Sequence, residues 1–185
     1  MLESFRRSLG TRLARFHFRA SREKVISFSH SIATSDRVLV VMPLYGSGDE
    51  GHAHVLTFLR EHFYEPDITV LAPKGGTPVE RILPRCRVLL FGPEDVNVFF
   101  LPRRPLLARV TERTYDLAID LNLDFMIPSA YICKETHARV RTGFAADHAD
   151  AFFNFQIRLG PDAGNTRAYD RLVRCLQMFF SAEGV

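Results

Sequence analysis

The chain is 185 residues long, with 24 Lys+Arg against 21 Asp+Glu and a hydrophobic share of 46%. That size and composition fit one globular domain and exclude a disordered or fibrous chain. A domain this long buries about 70% of its unfolded surface and needs no disulfide or metal to hold it. Three scattered cysteines, Cys86, Cys133 and Cys175, form no C-x-x-C pair, which points to reduced thiols rather than a zinc cage or redox motif. No metal site and no cofactor is expected. The chain opens with no apolar h-region and contains no run of about 18 apolar residues, so a cytoplasmic protein without signal peptide or membrane span is expected.

The first segment carries the charge asymmetry. Arg6, Arg7, Arg12, Arg15, Arg19, Arg22 and Lys24 fall within residues 1–24, opposed only by Glu3 and Glu23. Leu2, Phe5, Leu9, Leu13 and Phe16 recur at intervals of three and four, which predicts a helix with one apolar stripe. Gly10 in its middle weakens that helix by about 1 kcal/mol relative to alanine. The stripe either packs on the protein's own sheet, leaving the arginines solvated, or docks. Docking would use Arg6, Arg7, Arg12, Arg15 and Arg19 against a protein partner, a second copy, or an anionic surface at the inner membrane. Residues 1–35 thus read as a basic helical extension to a domain of residues 36–185.

Arg37–Pro43 is a short apolar run suited to a strand buried on both faces. Tyr45–Gly51 is a turn rich in glycine, and Val55, Leu56, Leu59 and Phe63 mark a helix after it, which together open a βαβ unit. Further strands are predicted over 67–72, 87–91, 96–101, 115–121 and 138–144, with an extended segment over 151–159. Helices are predicted around 78–83, 106–113 and 129–135, and Tyr169, Leu172, Val173, Leu176 and Phe180 make a closing amphipathic helix. Strands alternating with helices predict a Rossmann-like α/β fold, a mostly parallel sheet with helices on both faces.

Ligands of open α/β sheets collect at the carboxyl ends of strands. The best site candidate is therefore the turn after the first strand, where Gly46, Ser47 and Gly48, with Gly51, let backbone N–H groups approach a ligand. Asp49 and Glu50 inside that turn argue against a phosphate cradle. Asp49 is either a general base at the strand end or the N-cap of the next helix. Asp120 and Asn122, at the end of the 115–121 strand, either reach the same crevice or form a strand-end Asx turn. His52, His54 and His62 point to different sides of one helix and read as structural or solvated.

Sixteen phenylalanines and no tryptophan are present. The pairs Phe99-Phe100, Phe152-Phe153 and Phe179-Phe180, with Phe155, suggest that part of this aromatic surface, near the carboxyl terminus, faces a partner. Arg15-Phe-His-Phe-Arg19 is the nearest approach to a basic-aromatic nucleic-acid stripe, and no recognised motif supports one, so nucleic acid is not an expected partner.

Two stretches resemble the amino-terminal half of the bacterial heptosyltransferases, glycosyltransferase family nine. One is Val38–Met42 followed by Gly48-Asp49, Leu59-Arg60 and Ile68-Thr-Val-Leu71. The other is Tyr115-Asp-Leu-Ala-Ile-Asp-Leu121 with Ala138–Phe144. The resemblance spans roughly residues 37–180. It implies the acceptor-binding domain of a two-domain GT-B architecture and makes Asp49 the catalytic base. The arginine usual before Gly-Asp is replaced here, with Tyr45 and Ser47 in that region. The chain ends where the donor-binding domain would begin, so no nucleotide-sugar site is expected, as in short stand-alone bacterial proteins of this length. Two expectations follow. The first is a non-catalytic binding or assembly subunit, and the second the acceptor-binding half of a two-chain transferase acting on lipopolysaccharide or a related glycan.

Overall fold

Six short strands lie side by side in the order β3-β2-β1-β4-β5-β6, every neighbour parallel. They are β1 Val38–Val41, β2 Ile68–Pro73, β3 Arg87–Phe91, β4 Leu117–Asp120, β5 Val140–Phe144 and β6 Phe155–Ile157. The computed structural model describes residues 2–19, 25–43, 51–76, 78–160 and 164–180. Strand order reverses between β1 and β4, the point at which open α/β sheets leave a crevice. This is the Rossmann-like parallel sheet the sequence predicts.

Alternation along the strands explains the two cores. Val38 and Val40 of β1, Ile68 and Val70 of β2 and Leu117 and Ile119 of β4 face one side. They are covered there by α2 (Phe28–Ala33), α3 (Gly51–His62) and α6 (Asn165–Phe180). Leu39 and Val41, Leu71 and Ala118 face the other, beneath α1 (Leu2–Phe18), α4 (Arg104–Thr111) and α5 (Ile127–Glu135). Both faces are apolar because both are covered, so the central strands read as continuous hydrophobic runs.

Several elements differ from the sequence expectation. Residues 96–101 form no strand. Val96 makes one antiparallel bridge to Pro102, and the Asn97 side chain accepts from the N–H groups of Phe99 (2.9 Å) and Leu101 (3.1 Å). That Asx-type turn holds Phe100 at a φ of 62° and competes with sheet pairing. The segment expected to be helical over 78–83 is a single 3-10 turn, Val79–Arg81. The extended segment over 151–159 contracts to β6, preceded by a 3-10 turn at Ala149–Ala151. Helix α2 has too few residues to display a period and was not foreseen.

Helix α1 forms where expected but is turned over. Its buried residues are Gly10, Thr11, Ala14 and Phe18, packed along α5. Phe18 sits among Tyr131 and Phe152, and His17 stacks on Tyr131 at 5.7 Å. The apolar stripe lies on the opposite side of the helix, so the reading in which it packs on the sheet is wrong. Leu2, Phe5 and Phe16 are 66%, 64% and 74% exposed. Small residues let α1 lie close to its neighbours; the larger apolar ones are left outside.

The phenylalanine surface also moves. Phe152 and Phe153 are buried, and Phe155, Phe179 and Phe180 are partly buried, Phe155 tilted against Phe28 and Phe180 edge-to-face on Phe58 and Phe63. These aromatics serve the core, and the exposed phenylalanines among the described residues are Phe5 and Phe16 of α1.

Candidate functional site at the strand ends

Asp120 closes β4 beside Val41 of β1, at the reversal of strand order. Two residues after Ala118, it points to the α1, α4 and α5 side, where it is fully buried. The Ser129 hydroxyl on α5 donates to its Oδ2 at 2.6 Å. The Asn122 backbone N–H and side-chain amide donate to its Oδ1 at 3.0 and 2.6 Å. Burial pushes the carboxyl up to about 6, and the bonds from Ser129 and Asn122 restrain the rise. Of the two readings of this strand end, the geometry is that of an Asx turn. Both carboxylate oxygens are committed to protein donors, and Asn122 is buried against them.

Asp116, four residues earlier, lies at the opposite end of β4. It accepts from the backbone N–H groups of Asp36 and Arg37 and pairs with Arg139 at 3.3 Å. It therefore stitches the amino-terminal edge of the sheet.

On the other face α6 packs against α3. The Tyr169 ring lies against Gly51 so closely that a Cβ there would come within 2.6 Å of it, and the Tyr169 hydroxyl donates to the Leu121 carbonyl at 2.9 Å. The closeness Gly51 permits is thus used by a helix of the same chain. His54 Nδ1 meets Asp170 Oδ1 at 2.8 Å and ties α3 to α6 from outside. His52 is buried, and the His62 ring packs on Phe58 and Phe180. Gly46, Ser47, Gly48 and Asp49 lie outside the described residues.

The arginines of α1 divide. Arg7, Arg12 and Arg15 border a cavity between α1 and the start of α5, whereas Arg6 and Arg19 are exposed and lie outside that lining. Among the described residues no group of three His, Cys, Asp or Glu side chains is placed to hold a metal ion. Sequence reasoning missed Ser129, which was read only as the start of a helix; a serine nine residues beyond an aspartate carries no local signal. It also missed Arg141. That side chain is buried behind β5, donating from Nε to the Phe152 carbonyl (3.0 Å) and from Nη1 to the Ala138 carbonyl (2.6 Å).

Together the parallel sheet and its strand order define a Rossmann-like α/β domain. No family model and no curated protein matches the chain. Among solved structures it is similar to the E. coli heptosyltransferase WaaC with ADP. The two share 16% identity at a TM-score of 0.51, over 75% of this chain and 46% of that one. It also matches a glycosyl transferase family 9 structure from Veillonella parvula at 16% identity and a TM-score of 0.45, over 78% of this chain and 41% of the other. The likeness to WaaC is one of fold. The chain spans less than half the length of these two proteins. No helix of the described residues is long and apolar enough to cross a membrane.

Proposed function

We propose that this domain is a non-catalytic assembly subunit on a heptosyltransferase-like fold, corresponding to the acceptor-side domain of such enzymes, and that it docks on a second protein through the outer face of α1. The observation that carries this reading is the exposure of Leu2, Phe5, Leu13 and Phe16 along one side of a helix whose other side is anchored on α5. An apolar stripe of that length on a formed helix is the signature of a helix-in-groove or helix-on-surface contact. Arg6 and Arg19 flank it and favour an acidic rim on the partner. The commitment of Asp120 and Asn122 to internal bonds is consistent with a domain that does no proton transfer at that strand end.

Native pull-down of the tagged full chain from its own host tests the reading, with wild type compared against a Phe5→Gln, Phe16→Gln double variant. Both side chains are exposed, so the variant keeps the fold. A partner retained by wild type and lost by the variant supports docking. Recovery of the chain alone in both cases removes the proposal. If wild type instead floats with anionic vesicles and the variant does not, the occupant is a membrane surface and not a protein.

A further inference from the structure

The loops following β3, β4 and β5 converge with the inner flank of α1 around a cavity of about 420 Å³. Its lining is asymmetric in chemistry. Arg7, Arg12, Arg15 and His148 supply basic groups, Ser8 and Thr11 hydroxyls, and Phe100, Phe125 and Met126 an apolar wall; among the described residues no carboxylate lines it. Arg7 is set in place from two sides, by Glu3 at 2.8 Å and by the Phe100 ring 5.0 Å beneath its guanidinium. Arg15 Nη1 donates to His148 Nδ1 at 3.3 Å, and His148 is held at a φ of 71° in the turn before the 3-10 helix. Arg12 makes no hydrogen bond or ion pair among the described residues. Three guanidiniums around one hollow, with Glu3 the single acid bonded to any of them among the described residues, raise the local potential and attract an anion.

The amino-terminal end of α5 forms part of the same wall. Its N-cap is Met126, which has no side-chain acceptor for the first-turn N–H groups, and Pro128 follows in the first turn. Helix ends of this kind welcome anions. Asp120 lies beneath that turn through Ser129 and offsets part of the dipole, so the arginines and not the helix carry most of the attraction.

We propose that this cavity binds a phosphate ester. The phosphate would sit between Arg12, Arg15 and the start of α5, in the forked geometry guanidinium groups offer to phosphate oxygens. The carbon portion would lie on Phe100, Phe125 and Met126. The volume suits a group the size of a monosaccharide or a lipid headgroup and is at the small end of ordinary ligand sites. The site uses the flank of α1 and the docking stripe the outer face, so either proposal can fail without the other.

Calorimetric titration of the full chain with glucose 1-phosphate, inorganic phosphate and glucose tests it, alongside flotation with phosphatidylglycerol-containing vesicles. Two double variants remove equal charge: Arg12→Gln with Arg15→Gln at the cavity, and Arg6→Gln with Arg19→Gln outside it. All four side chains are exposed, and thermal melts verify that both variants fold. The cavity variant is expected to weaken glucose 1-phosphate binding by roughly tenfold or more, as loss of charge-assisted contacts does, while the control stays within about twofold of wild type. Vesicle binding lost only in the cavity variant, with no response to glucose 1-phosphate, identifies a lipid headgroup as the source of the same chemistry. Equal losses in both variants, inorganic phosphate binding as tightly as its ester, or no response in either arm would overturn the proposal.

Discussion

The backbone carbonyl oxygen of Phe99 occupies the space beside Gly10 of α1, 2.0 Å from where a Cβ would stand. A mid-helix glycine is ordinarily a weakness, and replacing it with alanine in an exposed helix gains about 1 kcal/mol. Here the obstacle is backbone in a turn fixed by Asn97, which cannot rotate away. Gly10→Ala should therefore lift α1 from the 97–101 turn and cost about 1–3 kcal/mol, reversing the sign expected from propensity. Urea unfolding gives the energy, and tryptic cleavage at Arg12, Arg15 and Arg19 should quicken in the folded variant. An unchanged or raised stability would mean that α1 does not bear on the turn.

That contact also marks how far the sequence could be read. The strands were legible because Val38–Val41 and Leu117–Ile119 are short apolar runs that only a sheet covered on both faces accommodates. Helix α1 was legible as a helix, but its orientation was not. Periodicity shows which residues share a face, whereas close packing on α5 selected the small ones, Gly10, Thr11 and Ala14. The site was legible only in part. Asp120 and Asn122 were found as a polar strand end, but their closure by Ser129 depends on a contact between β4 and α5 that no local pattern encodes.

Asp120 makes a pH prediction. Its carboxyl is raised by burial from 3.8 to about 6. The folded state thus binds a proton more tightly than the unfolded state does. The stability this supplies is complete below about pH 4 and is lost as pH rises through about 6. Two pH units correspond to about 3 kcal/mol. Asp120→Asn fits the same bonds. The amide can donate to Ser129 Oγ, which then donates to the Met126 carbonyl 2.9 Å away, while the amide oxygen accepts from Asn122. Relative to the variant, wild type should lose up to about 3 kcal/mol between pH 4 and pH 7. Urea midpoints at pH 4.5, 5.5 and 7 measure this, and parallel curves for the two proteins would refute a raised carboxyl.

Tyr169 should matter through its hydroxyl as well as its ring. It is among the largest fully buried side chains, and its O–H satisfies the Leu121 carbonyl just beyond β4. Tyr169→Phe keeps the ring beside Gly51 and removes that donor, leaving a buried carbonyl to find another partner. The expected loss is about 1–2 kcal/mol. Gly51→Ala acts on the same contact from α3, and the two changes should be non-additive in a double-mutant cycle. Strict additivity would show that the ring's contact with Gly51 does not set the hydroxyl's bond to Leu121.

Cys86 is half-buried, so exposure alone would make it the readier target of an alkylating reagent than fully buried Cys133. Its chemistry argues otherwise. Burial, followed by the nearby charges of Glu65 and Glu80, pushes the Cys86 thiol up to about 11. The thiolate is the reactive form, and at pH 8 only about one Cys86 in a thousand carries it, against about one in ten for an ordinary thiol of pKa near 9. Cys133 is held well above its usual range by burial, with the Asp120 charge adding to the effect. Iodoacetamide at pH 8 should therefore modify Cys86 roughly a hundredfold more slowly in the native protein than in urea, and Cys133 should react measurably only after unfolding. Peptide mapping by mass spectrometry resolves both rates. A native Cys86 rate close to the unfolded one would mean that burial and the charges of Glu65 and Glu80 do not hold the thiol protonated.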